Sequence, residues 1–142
     1  MKLIRLGLHG FKSFAHKNEF TFDSPVTGIV GPNGSGKSNV VEAIRFVLGE
    51  QSVKSLRGKT GADLIYKGSS KLGKMARATV EITFDNRERR FVLSTTQAQE
   101  ISLDFDEITI SRTVFSDASN TFMINGSEVR MKDIHELIAS VN

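Results

Sequence analysis

Residues Gly31-Pro32-Asn33-Gly34-Ser35-Gly36-Lys37-Ser38 constrain this chain more than any other stretch. Closely spaced glycines let the backbone curl until successive N–H groups point inward, a geometry suited to wrapping an anion. Upstream, Val26–Val30 is a short β-rich run that reads as a buried strand. Downstream, Val40, Val41, Ala43, Ile44, Val47 and Leu48 recur at helical spacing, predicting one compact helix over Ser38–Leu48 that stops at Gly49. Strand, glycine loop and helix in this order supply the context that G-x-x-x-x-G-K-[ST] requires of a phosphate-binding loop. Lys37 then supplies a point charge to the β- and γ-phosphates, Ser38 places its hydroxyl on Mg²⁺, and the helix start adds its partial positive charge. The implied ligand is a nucleoside triphosphate with Mg²⁺.

Competing chemistries fail on residue types. A dinucleotide site needs G-x-G-x-x-G, but the third position after Gly36 is Asn39. A serine nucleophile elbow needs G-x-S-x-G, which Gly34-Ser35-Gly36 lacks. The absence of cysteine excludes disulfides, thiolate zinc and a thiol nucleophile, and His9, His16 and His135 form no i, i+4 ligand pair. No apolar run reaches spanning length, and the N-terminus lacks a signal peptide's apolar core, so a non-exported protein with no membrane segment is expected. At 142 residues the chain is one ordinary domain or one lobe of a larger one.

The fold class expected is α/β, with a mixed sheet, an antiparallel β-subdomain and the helix that follows the glycine loop. Strands are predicted at Lys2–Leu8, Glu19–Phe22 and Val26–Val30. Ala78–Phe84 and Arg90–Ser94 flank Asp85-Asn86-Arg87-Glu88-Arg89 and read as a hairpin, with further strands at Glu100–Phe105, Glu107–Phe115 and Thr121–Ile124 before an Asn125-Gly126 turn. Ile134, Leu137, Ile138 and Val141 lie at i, i+3, i+4, i+7 and predict an amphipathic helix over Lys132–Val141. Phe11 and Phe14 read as core plugs, because base-stacking platforms group several aromatics on one sheet face.

Gly10-Phe11-Lys12-Ser13-Phe14, the glycine loop through Asn39, Ile44 to Ser52 and Ser55-Leu56-Arg57-Gly58 together resemble the N-terminal head segment of structural maintenance of chromosomes (SMC) proteins of prokaryotic type. Asp63-Leu64-Ile65, Val80 to Asn86, Ile124-Asn125-Gly126 and Val129 to Ile134 follow in the family's order, so the likeness covers essentially the whole chain. The resemblance implies that residues 1–142 form the N-terminal lobe of an ABC-type ATPase head, with the C-terminal lobe and coiled coil outside the chain. It implies ATP and Mg²⁺ as cofactors, and ATP hydrolysis coupled to DNA compaction and segregation in the cytoplasm, at the nucleoid. Pro32, Asn33, Gly34, Ser35, Gly36, Lys37, Ser38 and Asn39 would hold the triphosphate, Ser38 also the metal. Lys12 and Ser13 would lie beside the nucleotide, Asp63 would flank the adenine side, and Arg57 would point at the nucleotide and neutralise charge in phosphoryl transfer with Lys37. The implied partners are the C-terminal lobe of the same head, a second head in an ATP-dependent dimer, double-stranded DNA and kleisin-type accessory subunits. Taken without the resemblance, Lys12 and Ser13 read as β-turn residues and Arg57 as a solvated charge.

The motifs that complete such a head, a glutamine loop, an LSGG-type signature and a Walker B strand, are not found in the sequence. Phe105-Asp106-Glu107 imitates the last, but Ile101, Leu103 and Phe105 alternate with polar residues, whereas a Walker B strand is a continuous apolar run. The chain alone is therefore expected not to turn over ATP. A RecF- or RecN-like DNA-repair ATPase shares the loop and lobe plan and stands as the alternative; a nucleotide-binding regulator is a third class. The net charge is only +3, but Lys54, Arg57, Lys59, Lys67, Lys71, Lys74 and Arg77 face a single acid, Asp63, over residues 54–77. Lys67, Lys71 and Lys74 are candidates for phosphate-backbone contact with DNA, beside the plainer reading of a solubilising surface.

Overall fold

The computed structural model describes residues 2–12, 14–22, 35–49, 64–68, 76–94 and 101–141, with side chains of the first helix described from Val40 onward. The elements are β1 (Leu3–His9), β2 (Asn18–Thr21), α1 (Ser35–Val47), β3 (Arg77–Asp85), β4 (Glu107–Phe115), β5 (Asn120–Ile124), β6 (Ser127–Val129) and α2 (Met131–Ala139). Among the described residues six strands form one sheet in the order β2-β1-β3-β4-β5-β6, antiparallel at each of these junctions. The expected strand Val26–Val30, which would make the sheet mixed, lies outside the described residues.

Period-2 alternation sorts the sheet into two faces. Leu6, Ile82, Ile110 and Ile124 sit opposite one another across four strands, and all are buried. Helix α1 packs on β3 and β4, with Val40, Ala43, Phe46 and Val47 in the same core. The other face is polar. Thr79 and Thr113 share a hydroxyl hydrogen bond of 3.0 Å, Thr83 and Thr109 one of 3.1 Å, and Arg5 pairs with Glu107 at 2.5 Å. Helix α2 contributes Ile134 and Leu137 to the core, and Asp133 at its third position accepts the Arg130 N–H at 3.0 Å, which satisfies an otherwise orphaned donor.

Two expected strands do not form. Ala78–Phe84 does not pair with Arg90–Ser94; β3 pairs with β4 instead, from Arg77 opposite Phe115 to Asp85 opposite Glu107. Residues 91–94 leave the sheet because their groups are engaged elsewhere. Phe91 packs on Phe84 with centroids 5.9 Å apart, and the N–H groups of Val92 and Ser94 donate to Ser140 Oγ at 3.0 Å and Glu136 Oε1 at 2.9 Å, both at the end of α2. The stretch 101–106 likewise carries no strand. Asn86, itself buried, donates its amide to the carbonyls of Leu103 at 2.8 Å and Phe105 at 2.9 Å, occupying the acceptors a ladder would use. Asp106 pairs with Arg89 and Glu107 with Arg5 at the surface, the opposite of a buried Walker B end.

Candidate nucleotide-binding site

Helix α1 begins at Ser35, inside the glycine motif, three residues earlier than the periodicity of its apolar positions predicts. Gly36, Lys37 and Ser38 therefore occupy its first turn, where backbone N–H groups have no intrahelical acceptor and the helix dipole is positive. No acidic residue stands in that turn. A triphosphate fits such an end, since nothing in the first turn opposes its charge.

The second component is the turn that follows β1. Gly10 has φ 70° and Lys12 φ 53°, so two left-handed residues flank Phe11. At Gly10 a Cβ would collide with the carbonyl oxygen of Arg77, so only glycine fits there. Lys12 has no such exemption and stores strain on the order of 1 kcal/mol. The surrounding backbone enforces it. Lys12 N–H donates to the Leu64 carbonyl at 2.7 Å, Tyr66 N–H to the Gly10 carbonyl at 2.7 Å, and Phe14 N–H to the Phe11 carbonyl at 2.8 Å.

This turn sits on α1 through two neighbouring side chains. Phe11 is wholly buried, with its ring centroid 5.5 Å from that of Phe46. Lys12 Nζ lies 3.3 Å from Glu42 Oε2, with the glutamate almost fully buried. Glu42 and Phe46 are i, i+4 on one row of the helix, and position 38 is the preceding member of that row. Phe11 is thus a core plug, as expected, and Phe14 packs edge-on to Phe20 at 6.1 Å. Lys12 does occupy a turn, yet its ammonium is committed to the helix that carries the phosphate motif.

At its far end α1 is held by Arg112. This buried arginine donates to the Phe46 carbonyl at 2.8 Å and to Asn120 Oδ1 at 2.8 Å, and its guanidinium lies 4.2 Å from the Phe46 ring centroid and 4.8 Å from that of Phe122. Burial pushes it down to about 10, still charged at neutral pH. His135 of α2 meets the Gly49 carbonyl at 2.9 Å. Arg112 therefore engages a carbonyl at the negative end of the helix, and His135 one just beyond it.

Other expected site residues lie outside the description. Ser13, Pro32, Asn33, Gly34, Arg57, Asp63, Lys71 and Lys74 fall outside the described residues, as do the side chains of Ser35, Lys37, Ser38 and Asn39. Lys67 is exposed. Glu42 and Arg112 were not singled out from the sequence. Their signal was positional: a glutamate among the apolar residues of the helix's buried face, and an arginine in an inward slot of the alternation Ile108, Ile110, Arg112, Val114. A surface cavity of about 430 Å³ lined by Lys2, Asp85, Asn86, Arg87, Glu88, Arg90, Phe91 and Val141 lies at the opposite end of β3 from Gly10. Arg87 there is matched by Asp85 at 2.8 Å, and Arg90 stands 4.0 Å from Glu88. Among the described residues no cluster of three or more His, Asp or Glu forms a metal site, and no helix is long and apolar enough to cross a membrane.

The family described as RecF/RecN/SMC N terminal domain matches residues 2–142. The chain belongs to that family. It is 46% identical over 97% of its length to the Chromosome partition protein Smc of Lactiplantibacillus plantarum. It spans only 11% of that relative. A structure from work on the structural biochemistry of ATP-driven dimerization and DNA stimulated activation of SMC ATPases superposes with TM-score 0.85 at 35% identity, covering 99% of this chain and 79% of the other. An Smc head bound to the C-winged helix domain of ScpA gives TM-score 0.83 at 34% identity over 99% of this chain and 41% of the other. RecF bound to ATP shares the fold, with TM-score 0.61 at 22% identity over 91% of this chain and 28% of the other. The antiparallel sheet with its motif-bearing helix is thus the SMC-head N-terminal fold, as the sequence implied.

Proposed function

We propose that this chain is the ATP-binding N-terminal lobe of a chromosome condensation and segregation ATPase, in which ATP-driven engagement of two heads is coupled to DNA binding. The observation that carries the reading is that α1 starts within Gly31–Ser38, with no acid in its first turn, and that the Gly10–Lys12 turn is seated on the same helix. Pro32 to Asn39 would wrap the triphosphate, Lys37 would meet the β- and γ-phosphates, Ser38 would ligate Mg²⁺, and Lys12 and Ser13 would flank the nucleotide. Asp63 would stand on the adenine side, and Arg57 would neutralise charge as the phosphoryl group departs. Mg²⁺, held there through Ser38, would offset the negative charge of the phosphates.

The remaining parts of the reading rest on relatives. ATP-driven dimerization and DNA stimulated activation are described for SMC ATPases, and ScpA binding for an Smc head. A second head, double-stranded DNA and a kleisin subunit are accordingly the proposed partners here, together with a C-terminal lobe that completes the head, at a cytoplasmic, nucleoid-associated location. The general base and water-positioning glutamine would come from beyond these residues, so residues 1–142 alone would not turn over ATP. Phosphate release is the test. The complete gene product should hydrolyse ATP and lose that activity with Lys37→Ala, while the isolated chain releases none; turnover by the isolated chain that Lys37→Ala abolishes would sink the division of labour.

A further inference from the structure

We propose that Glu42 is a positioning residue: from the middle of α1 it holds the Lys12 ammonium one turn from position 38, where one cation is shared between this buried carboxylate and a phosphate of the bound nucleoside triphosphate. The inference rests on the nucleotide reading above and assigns the residue that orients one of its contacts.

Three observations converge. Glu42 is 5% exposed, and Lys12 Nζ stands 3.3 Å from its Oε2. Lys12 reaches it from a left-handed backbone, φ 53°, pinned by the bond to the Leu64 carbonyl and by the buried Phe11 ring beside it. Strain that the fold enforces at a lysine, rather than removing with glycine or asparagine, points to a use for that side chain. Finally, Glu42 stands one turn from position 38, about 6 Å along the axis at 1.5 Å per residue.

That last relation makes the glutamate a liability by itself. A carboxylate one turn from position 38 repels phosphates bound at the start of the helix, the more so because burial weakens screening. Its presence favours nucleotide binding only through Lys12, by fixing a cation where the phosphates need it. Two hypotheses therefore predict opposite signs. If Glu42 merely stabilises the helix, removing its charge leaves nucleotide affinity unchanged or improves it. If it positions Lys12, removing it weakens binding although a repulsive charge has gone.

The experiment titrates the complete gene product with mant-ATP and Mg²⁺. Glu42→Gln should raise Kd roughly tenfold, the equivalent of one charge-assisted contact. Lys12→Met should do the same, and the double variant should be no weaker than Lys12→Met alone. Unchanged or tighter binding by Glu42→Gln, or losses that add in the double variant, would overturn the proposal. Should Glu42→Gln fail to fold, Glu42→Asp, which keeps the charge but withdraws it by one methylene, is read alike: weakening confined to the Lys12 background supports the proposal, and no weakening overturns it. Lys37→Ala separates the two levels. If it abolishes binding while Glu42→Gln is neutral, only the positioning role fails; if mant-ATP binds equally well without Lys37, the nucleotide reading fails and this inference with it.

Discussion

The guanidinium of Arg112 donates to the carbonyl oxygen of Phe46 at 2.8 Å while lying 4.2 Å from the centroid of the same residue's ring. One strand side chain thereby ties down both the backbone and the side chain at the last turn of α1. A planar fork can do this; an ammonium cannot stack and bond in the same way. Arg112→Lys should lower the opening free energy of the amides in that last turn by about 1–3 kcal/mol. Native-state hydrogen exchange measures it, and unchanged protection at residues 46–48 would count against the role.

Gly49 adopts φ 92°, and a Cβ there would run into the imidazole of His135. Gly49→Ala should therefore cost about 1–3 kcal/mol from backbone strain alone, with the steric clash added. Because His135→Ala removes the clash, the two substitutions should be less than additive in thermal unfolding of the complete gene product. Full additivity would mean that the α1 end and α2 are not in register as described.

Arg87 holds the Asp85 carboxyl down to about 2 from an ordinary 3.8, chiefly through the side-chain hydrogen bonds and then through its backbone N–H. A depressed carboxyl is proton-poor in the folded state, so its contribution is present above pH about 4 and is lost as pH falls toward about 2. Glu136 is lowered in the same sense by Ser94. In acid titrations followed by circular dichroism, Arg87→Gln should flatten the loss of stability across that window. Identical pH profiles for both proteins would refute the pairing.

Lys67 is exposed, and Lys71 and Lys74 belong to the same basic stretch of the sequence. If that stretch contacts the DNA backbone, replacing all three by Glu should weaken duplex binding by the complete gene product and flatten its salt dependence, without altering preference among sequences. Gel-shift titrations at several salt concentrations read both quantities. An unaltered salt slope would assign these lysines to solubility alone.

Much of the fold was legible because the governing signals are local. The i, i+3, i+4 repeats of α1 and α2 and the alternation in β1, β3, β4 and β5 follow from which residues must face a core, and the boundaries differ by only a few residues. The two strands expected at Arg90–Ser94 and Glu100–Phe105 were misread for a physical reason. Alternating apolarity records burial on one side, but a strand also needs free ladder partners. Phe91 was claimed by Phe84, the Val92 and Ser94 amides by α2, and the Leu103 and Phe105 carbonyls by Asn86.

The candidate site divides along the same line. By itself the sequence determined the phosphate motif, since eight contiguous residues carry their own geometry and chemistry, and it determined the family through motifs in unbroken order. Only the tertiary structure decided that Lys12 meets Glu42, that Phe11 plugs against Phe46, and that Arg112 closes the other end of the helix. These partners are 30, 35 and 66 positions apart, and no local propensity encodes such a contact. It arises when sheet register and helix packing bring distant side chains into one interior, where a ring must fill space and a charged group must find a counterpart.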